Sequence, residues 1–140
     1  MFEIQLLRRG LDKRVLHAIA KAIPYKILFI LVFADEAQAW IEVSGMFYNT
    51  DWLPLDGFAL KFEGLNLDAV YENLARQIAG GRLGIDGDIG EAVDRDKQRQ
   101  RHERDIVALE KKLLREKQFN KQVELNDILR RLRKELEKLL

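Results

Sequence analysis

Ile27-Leu-Phe-Ile-Leu-Val-Phe-Ala34 is a run of eight apolar residues without a break. A helix needs roughly 20 such residues to cross a bilayer, so this run is too short to span a membrane. Its length and its β-branched and aromatic content are those of a strand covered on both faces. Pro24 stands just upstream and disfavours helical geometry at Ile23, which ends any helix arriving there. The rest of the chain has to supply the layers that bury this strand.

Working outward, Phe2 to Leu7 reads as a short strand. Asp12 is placed to cap a predicted helix from Lys13 to Ala22, with Val15, Ile19, Ala22 and Ile23 on one face. Strand, helix and buried strand make a βαβ unit, expected to cross over right-handed. Downstream, Asp35-Glu36 turns the chain, and Ala37, Ala39, Ile41 and Val43 alternate with Gln38, Trp40 and Glu42 as in a strand with one face on a core. Ser44-Gly45 is a second turn, and Met46 to Thr50 is the next strand of a meander. Pro54 points to a sheet edge. Phe58, Leu60 and Phe62 alternate as one more strand. Asn66 is a good cap for a helix carrying Leu67, Val70, Tyr71, Leu74 and Ile78, closed by Gly80-Gly81.

Charge divides the chain. Residues 1–93 hold 9 Lys/Arg against 13 Asp/Glu, a net of −4; residues 94–140 hold 15 against 10, a net of +5. The expected organisation is an α/β core domain over 1–80, a glycine-rich linker over 81–93 and a charged helical hairpin over 94–140. From Asp94 onward there is no Gly or Pro. Leu125, Leu129, Leu132, Leu136 and Leu139 are spaced by steps of four and three, a heptad seam. Ile106, Leu109 and Leu113 form a second seam, out of phase with the first. A continuous helix here would be about 70 Å long with its seam twisting away. A turn near Phe119-Asn120 folds it instead into an antiparallel pair. The expected fold class is thus α/β: a small mixed β-sheet with a βαβ unit and an antiparallel meander, followed by a C-terminal helical hairpin that is coiled-coil-like.

Residue chemistry points away from catalysis. The chain has no cysteine, two histidines and one serine. His17 and His102 read as solvated, with no second ligand at metal spacing. Asp86-Gly-Asp88-Ile-Gly90 resembles the start of a calcium loop, but Lys97 stands where the twelfth, acidic ligand belongs. No cofactor, metal site, membrane association or small-molecule substrate is expected. With no signal-peptide pattern, a cytoplasmic location is the expectation. Two basic clusters are candidates for nucleic-acid contact: Arg95, Lys97, Arg99, Arg101 and Arg104, then Arg130, Arg131, Arg133 and Lys134. Glutamates interleave both, and stacking aromatics are scarce, so a solvated helical flank competes with phosphate tracking. The helical interaction seam is Ile106, Leu109, Leu113, Leu125, Leu129, Leu132, Leu136 and Leu139.

Two segments carry a resemblance. Ala22-Ile-Pro-Tyr-Lys-Ile-Leu-Phe-Ile-Leu31 is followed by Thr50-Asp-Trp52 and Gly64-Leu-Asn-Leu-Asp-Ala-Val-Tyr-Glu-Asn73; later come Leu109-Glu-Lys-Lys-Leu-Leu-Arg-Glu-Lys-Gln-Phe-Asn120 and Val123-Glu-Leu-Asn126. In this order they resemble a bacterial family catalogued as domain of unknown function 4391. The resemblance implies a companion of DNA methyltransferases and helicases in restriction or anti-phage loci. It brings no active-site residues. Relatives are expected to be longer at the N-terminus. The implied role is a non-catalytic interaction module, an accessory subunit that engages a helicase or methyltransferase subunit or self-associates through its tail, with nucleic-acid binding as a further possibility. The alternative is a degenerate or divergent restriction-endonuclease-like nuclease or DNA-binding subunit. That fold also runs strand, helix and buried parallel strand, with Glu-x-Lys on its first strand for metal-assisted hydrolysis. Here Glu3-Ile-Gln5-Leu6-Leu7 offers Glu3 but no lysine, leaving loop acids such as Asp35 or Asp51 as partners.

Overall fold

The computed structural model describes residues 1–140, which divide into two compact units, Met1–Gly90 and Glu91–Leu140. The first unit is built on a five-stranded mixed sheet, and helices make the second. The α/β class, the βαβ start, the antiparallel meander and the C-terminal helical pair are all present.

β1 (Phe2–Gln5) lies parallel to β2 (Leu28–Phe33), with α1 (Lys13–Ala22) between them in sequence. β3 (Glu36–Val43) pairs antiparallel with β2, and β4 (Met46–Asn49) antiparallel with β3. β2 is therefore flanked on both sides, as its unbroken apolar run demands. Ser44-Gly45 joins β3 to β4 with both residues at positive φ, 49° and 81°. That is the type I′ turn, whose twist matches a two-residue hairpin, and glycine adopts it without a Cβ clash.

Register sorts the side chains into two faces. Phe29 stands opposite Trp40 and Leu31 opposite Gln38, with Ile4 beside Leu31 from β1. Phe29, Leu31 and Phe47 join Leu16 and Ile27 in one buried cluster, packed by Ile19, Ala20 and Ile23 of α1. The buried face of α1 is Leu16, Ile19, Ala20 and Ile23, spaced i, i+3, i+4, i+7. Val15 and Ala22, expected on that face, are exposed. On the other face Ala37, Ala39, Ile41 and Val43 are buried. α2 (Leu67–Ala79) packs against β3 and β4. Asn66 caps it as expected, its Oδ1 accepting from Ala69 N–H at 2.8 Å.

β5 (Leu53–Pro54) extends the edge begun by β4, pairing with Glu36 and Ala37. Thr50, Asp51 and Trp52 oppose only Gln38 and Ala39, so the edge carries a one-residue bulge. Thr50 holds the ladder together there. Its hydroxyl accepts from Ala39 N–H, its N–H donates to Ala39 C=O, and its own C=O accepts from the Gln38 amide.

The strand expected through Phe58, Leu60 and Phe62 does not form; a short 3-10 turn at Leu55–Gly57 leads into irregular chain. The reason is that the local backbone is satisfied by side chains of α2 instead of a sheet neighbour. The Gln77 amide accepts from Lys61 N–H at 2.9 Å and donates to Lys61 C=O at 2.8 Å, and Asn73 donates to Glu63 C=O. The glycine-rich segment after α2 is similarly tied. Arg76 donates to the carbonyls of Leu83, Asp86 and Gly87, so a guanidinium serves the carbonyls of the calcium-like stretch. Helix α3 begins at Ile89, within the stretch expected to be linker.

Candidate functional site

The candidate surface is the helical pair of the second unit. α3 (Ile89–Arg115) and α4 (Phe119–Leu139) are separated by three non-helical residues, Glu116 to Gln118. The turn falls where the two leucine seams lose phase. Glu116 fixes it: its carboxylate accepts from the N–H groups of Lys117 and Gln118, and its carbonyl accepts from the Gln122 amide at 2.7 Å.

The seam residues take up the expected positions. Ile106, Leu125 and Leu129 are buried, and Leu109, Leu113, Leu132, Leu136 and Leu139 are half-buried. Polar bonds stitch the helices beside the seam. Arg133 donates to Glu110 at 2.7 Å, and His102 Nε2 lies 2.9 Å from Glu135 Oε2.

His102 is the feature that sequence reasoning misses, because its partner sits on the other helix. Its Nδ1 is 2.7 Å from the Gln98 carbonyl, an oxygen that can only accept. With an acceptor at each ring nitrogen, the arrangement favours the doubly protonated imidazolium. The Gln98 carbonyl, then the Glu135 carboxylate, hold its pKa above the ordinary 6.5; burial opposes them and Asp105 adds to the rise. The folded pKa exceeds the unfolded one, so the stabilisation is complete below the unfolded value and vanishes as pH rises through the folded one. The melting temperature of wild type should therefore exceed that of His102→Ala by more at acid pH than at alkaline pH. An equal gap across about pH 5 to 9 would contradict the imidazolium.

The two basic clusters are not gathered onto one face. Lys97, Arg101 and Arg104 lie on the back of α3, away from the seam, while Arg131 and Lys134 lie on the back of α4. Because the seam faces inward, these stripes point in opposite directions. Arg99 is mostly buried and bonded to the buried Asp96 carboxylate, which also accepts from Gln100. Arg133 is engaged by Glu110. Arg95, Arg101, Arg104, Arg130, Arg131 and Lys134 are exposed. Asn126, Arg130, Arg133 and Lys134 line a shallow groove on α4 that also contains Glu137.

In the first unit a cleft of about 500 Å³ opens beside Tyr25, Lys26, Glu42, Ser44, Tyr71 and Glu72. Its main polar groups are already spoken for. Lys26 pairs with Asp68 and lies 5.1 Å from the centre of the Tyr71 ring. The Tyr71 hydroxyl donates to the Glu42 carbonyl at 2.5 Å. Burial and the Glu42 charge push its pKa up to about 12, so it stays neutral and keeps that bond. The cleft reads as a polar clasp between α2 and the start of β2. Glu3 is exposed on β1, and no group of three or more His, Asp or Glu stands at metal-holding distance among the described residues.

The fold and this surface define a small α/β protein carrying an antiparallel helical pair. It belongs to the family described as Domain of unknown function (DUF4391), whose profile matches residues 1–136. No curated protein matches the chain, and no solved structure matches it. No helix among the described residues is long and apolar enough to cross a membrane.

Proposed function

We propose that this protein is a non-catalytic interaction module, an accessory subunit of a bacterial DNA restriction or anti-phage assembly whose helical pair engages another subunit. One observation carries the reading. The pair closes its own seam, yet it leaves Leu114, Phe119 and Val123 at 87%, 75% and 43% exposure. Large apolar side chains clustered on a surface are typical of contact sites. The DNA-defence setting rests on the family resemblance, and it makes a methyltransferase or helicase subunit encoded nearby the natural partner. The reading places the protein in the cytoplasm, where such assemblies meet DNA.

The test is co-purification of the tagged full chain with methyltransferase and helicase subunits encoded beside it. Retention of at least one neighbour through a size-exclusion step is expected; retention of none overturns the reading. The rival nuclease is checked in the same preparation. Plasmid cutting with Mg²⁺ or Mn²⁺ that disappears on Glu3→Ala would make the chain an enzyme.

Exposed Arg95, Arg101, Arg130 and Arg131 favour a second reading, direct DNA binding by the helical pair. Such binding would be electrostatic and sequence-blind. Removing one phosphate-bound arginine by mutation should flatten the log-affinity against log-salt slope by about 0.9 for duplex DNA.

A further inference from the structure

Of the six large apolar side chains left open on the helical pair, Leu114, Phe119 and Val123 lie near the turn, while Val107, Ile128 and Leu140 are scattered along the helices. Glu110 lies one helical turn before Leu114, and Arg133 lies a whole number of turns after Phe119. The Glu110–Arg133 bond thus marks one flank of the pair, and Leu114 and Phe119 stand on that flank near the turn. Val123 follows Phe119 by one more turn on α4.

Charge around this cluster is one-sided. Residues 111–121 contain Lys111, Lys112, Arg115, Lys117 and Lys121 against the single acid Glu116, a net of +4. All five cations are exposed. None of their side chains forms an ion pair or hydrogen bond among the described residues. Glu116 offers them little, since its carboxylate is turned onto backbone N–H groups. Lys112 and Arg115 suit the negative end of α3. Lys117 and Lys121 lie at the positive end of α4, whose first turn has no acidic residue, so helix stability does not account for them.

From this geometry we infer that the turn end of the helical pair is a docking site for an acidic amphipathic segment of a partner protein, its apolar side on Leu114, Phe119 and Val123 and its carboxylates over the surrounding lysines. This rests on the interaction-module reading and names the chemistry of the partner. Charge selects the occupant. A second copy docked end to end would set the five cations against their own duplicates. Single-stranded nucleic acid matches the charge, but it binds by stacking successive bases on several aromatic platforms, and here there is only Phe119. A membrane surface is met by a long apolar helix face; these helices spend their long apolar faces on each other, and the apolar side chains left open form no continuous stripe, with three near the turn and three scattered.

The experiment uses the full chain and fluorescence anisotropy. The probe is a labelled synthetic helix with a leucine stripe and glutamates opposite. A scrambled peptide of the same composition, a single-stranded oligonucleotide and phosphatidylglycerol vesicles are the comparisons. Binding of the amphipathic peptide is expected, with a loss of about tenfold or more for the scrambled peptide, for the double variant Leu114→Ser with Phe119→Ser, and for Lys117→Glu with Lys121→Glu. All four substituted side chains are exposed, and unchanged circular dichroism confirms that the variants fold. Absence of peptide binding, equal binding of the scrambled peptide, or tighter binding of the oligonucleotide or the vesicles would overturn the inference. The two proposals fail separately. If a neighbouring subunit still co-purifies with the Leu114→Ser, Phe119→Ser chain as with wild type, the module reading stands and the docking site lies elsewhere.

Discussion

Replacing Leu129 with aspartate unfolds the helical pair. Leu129 is 2% exposed and lies in the seam with Ile106 and Leu125. Losing its burial costs about 1.5–3 kcal/mol. The introduced carboxylate would stand in an apolar seam, with Arg133 one turn away already bonded to Glu110, and a poorly compensated buried charge adds roughly 3–5 kcal/mol. The sum rivals the whole stability of a typical small domain, about 5–15 kcal/mol. Circular dichroism should show the loss of the helical signal from α3 and α4, and limited proteolysis should cut within residues 91–140. A variant that keeps wild-type helicity and protease resistance would mean that the seam does not hold the pair together. Leu114→Ser, one residue beyond the seam position Leu113, serves as the control and should change neither readout.

Phe29→Ala is the second large effect, in the other unit. Phe29 is fully buried among Leu16, Leu31 and Phe47, with the Phe47 ring centre 6.3 Å away. Truncation removes most of a phenyl ring from the middle of the cluster and leaves a cavity that α1 and the sheet can close only in part. Such changes cost about 3–5 kcal/mol. Trp40 packs against the same cluster, so urea unfolding followed by tryptophan fluorescence reports the site directly. The midpoint should fall with the slope unchanged. A cost below about 1 kcal/mol would show that β2 is not the centre of this core.

What can be read from the sequence is what depends on local pattern. The unbroken run at 27–34 gives an internal strand, the alternation from Ala37 to Val43 gives one buried face, and the phase slip between Leu113 and Leu125 gives the turn of the helical pair. What cannot be read depends on partners distant in the chain. Phe58, Leu60 and Phe62 alternate like a strand, but Gln77 and Asn73 occupy the backbone that a neighbouring strand would need. Leu16 does not stand out on α1 because Val15 and Ala22 fit a helical face almost as well, and only the sheet beneath decides between them. His102 reads as solvated because the carboxylate that meets it is 33 residues away on another helix. The basic clusters resemble one kind of surface in sequence. Folded, they face opposite ways, and two of their arginines, Arg99 and Arg133, are held by acids. The open apolar cluster at the turn escapes periodicity, because Leu114 and Phe119 belong to neither seam.

The most direct measurement is molar mass by light scattering, on the purified chain alone and mixed with the methyltransferase and helicase subunits encoded beside it. Wild type is compared with the double variant Leu132→Glu with Leu136→Glu, whose targets are half-buried in the seam. The account predicts a complex of higher mass with at least one neighbouring subunit for wild type, and loss of that complex for the double variant. A wild-type chain that keeps its own mass in every mixture would contradict it.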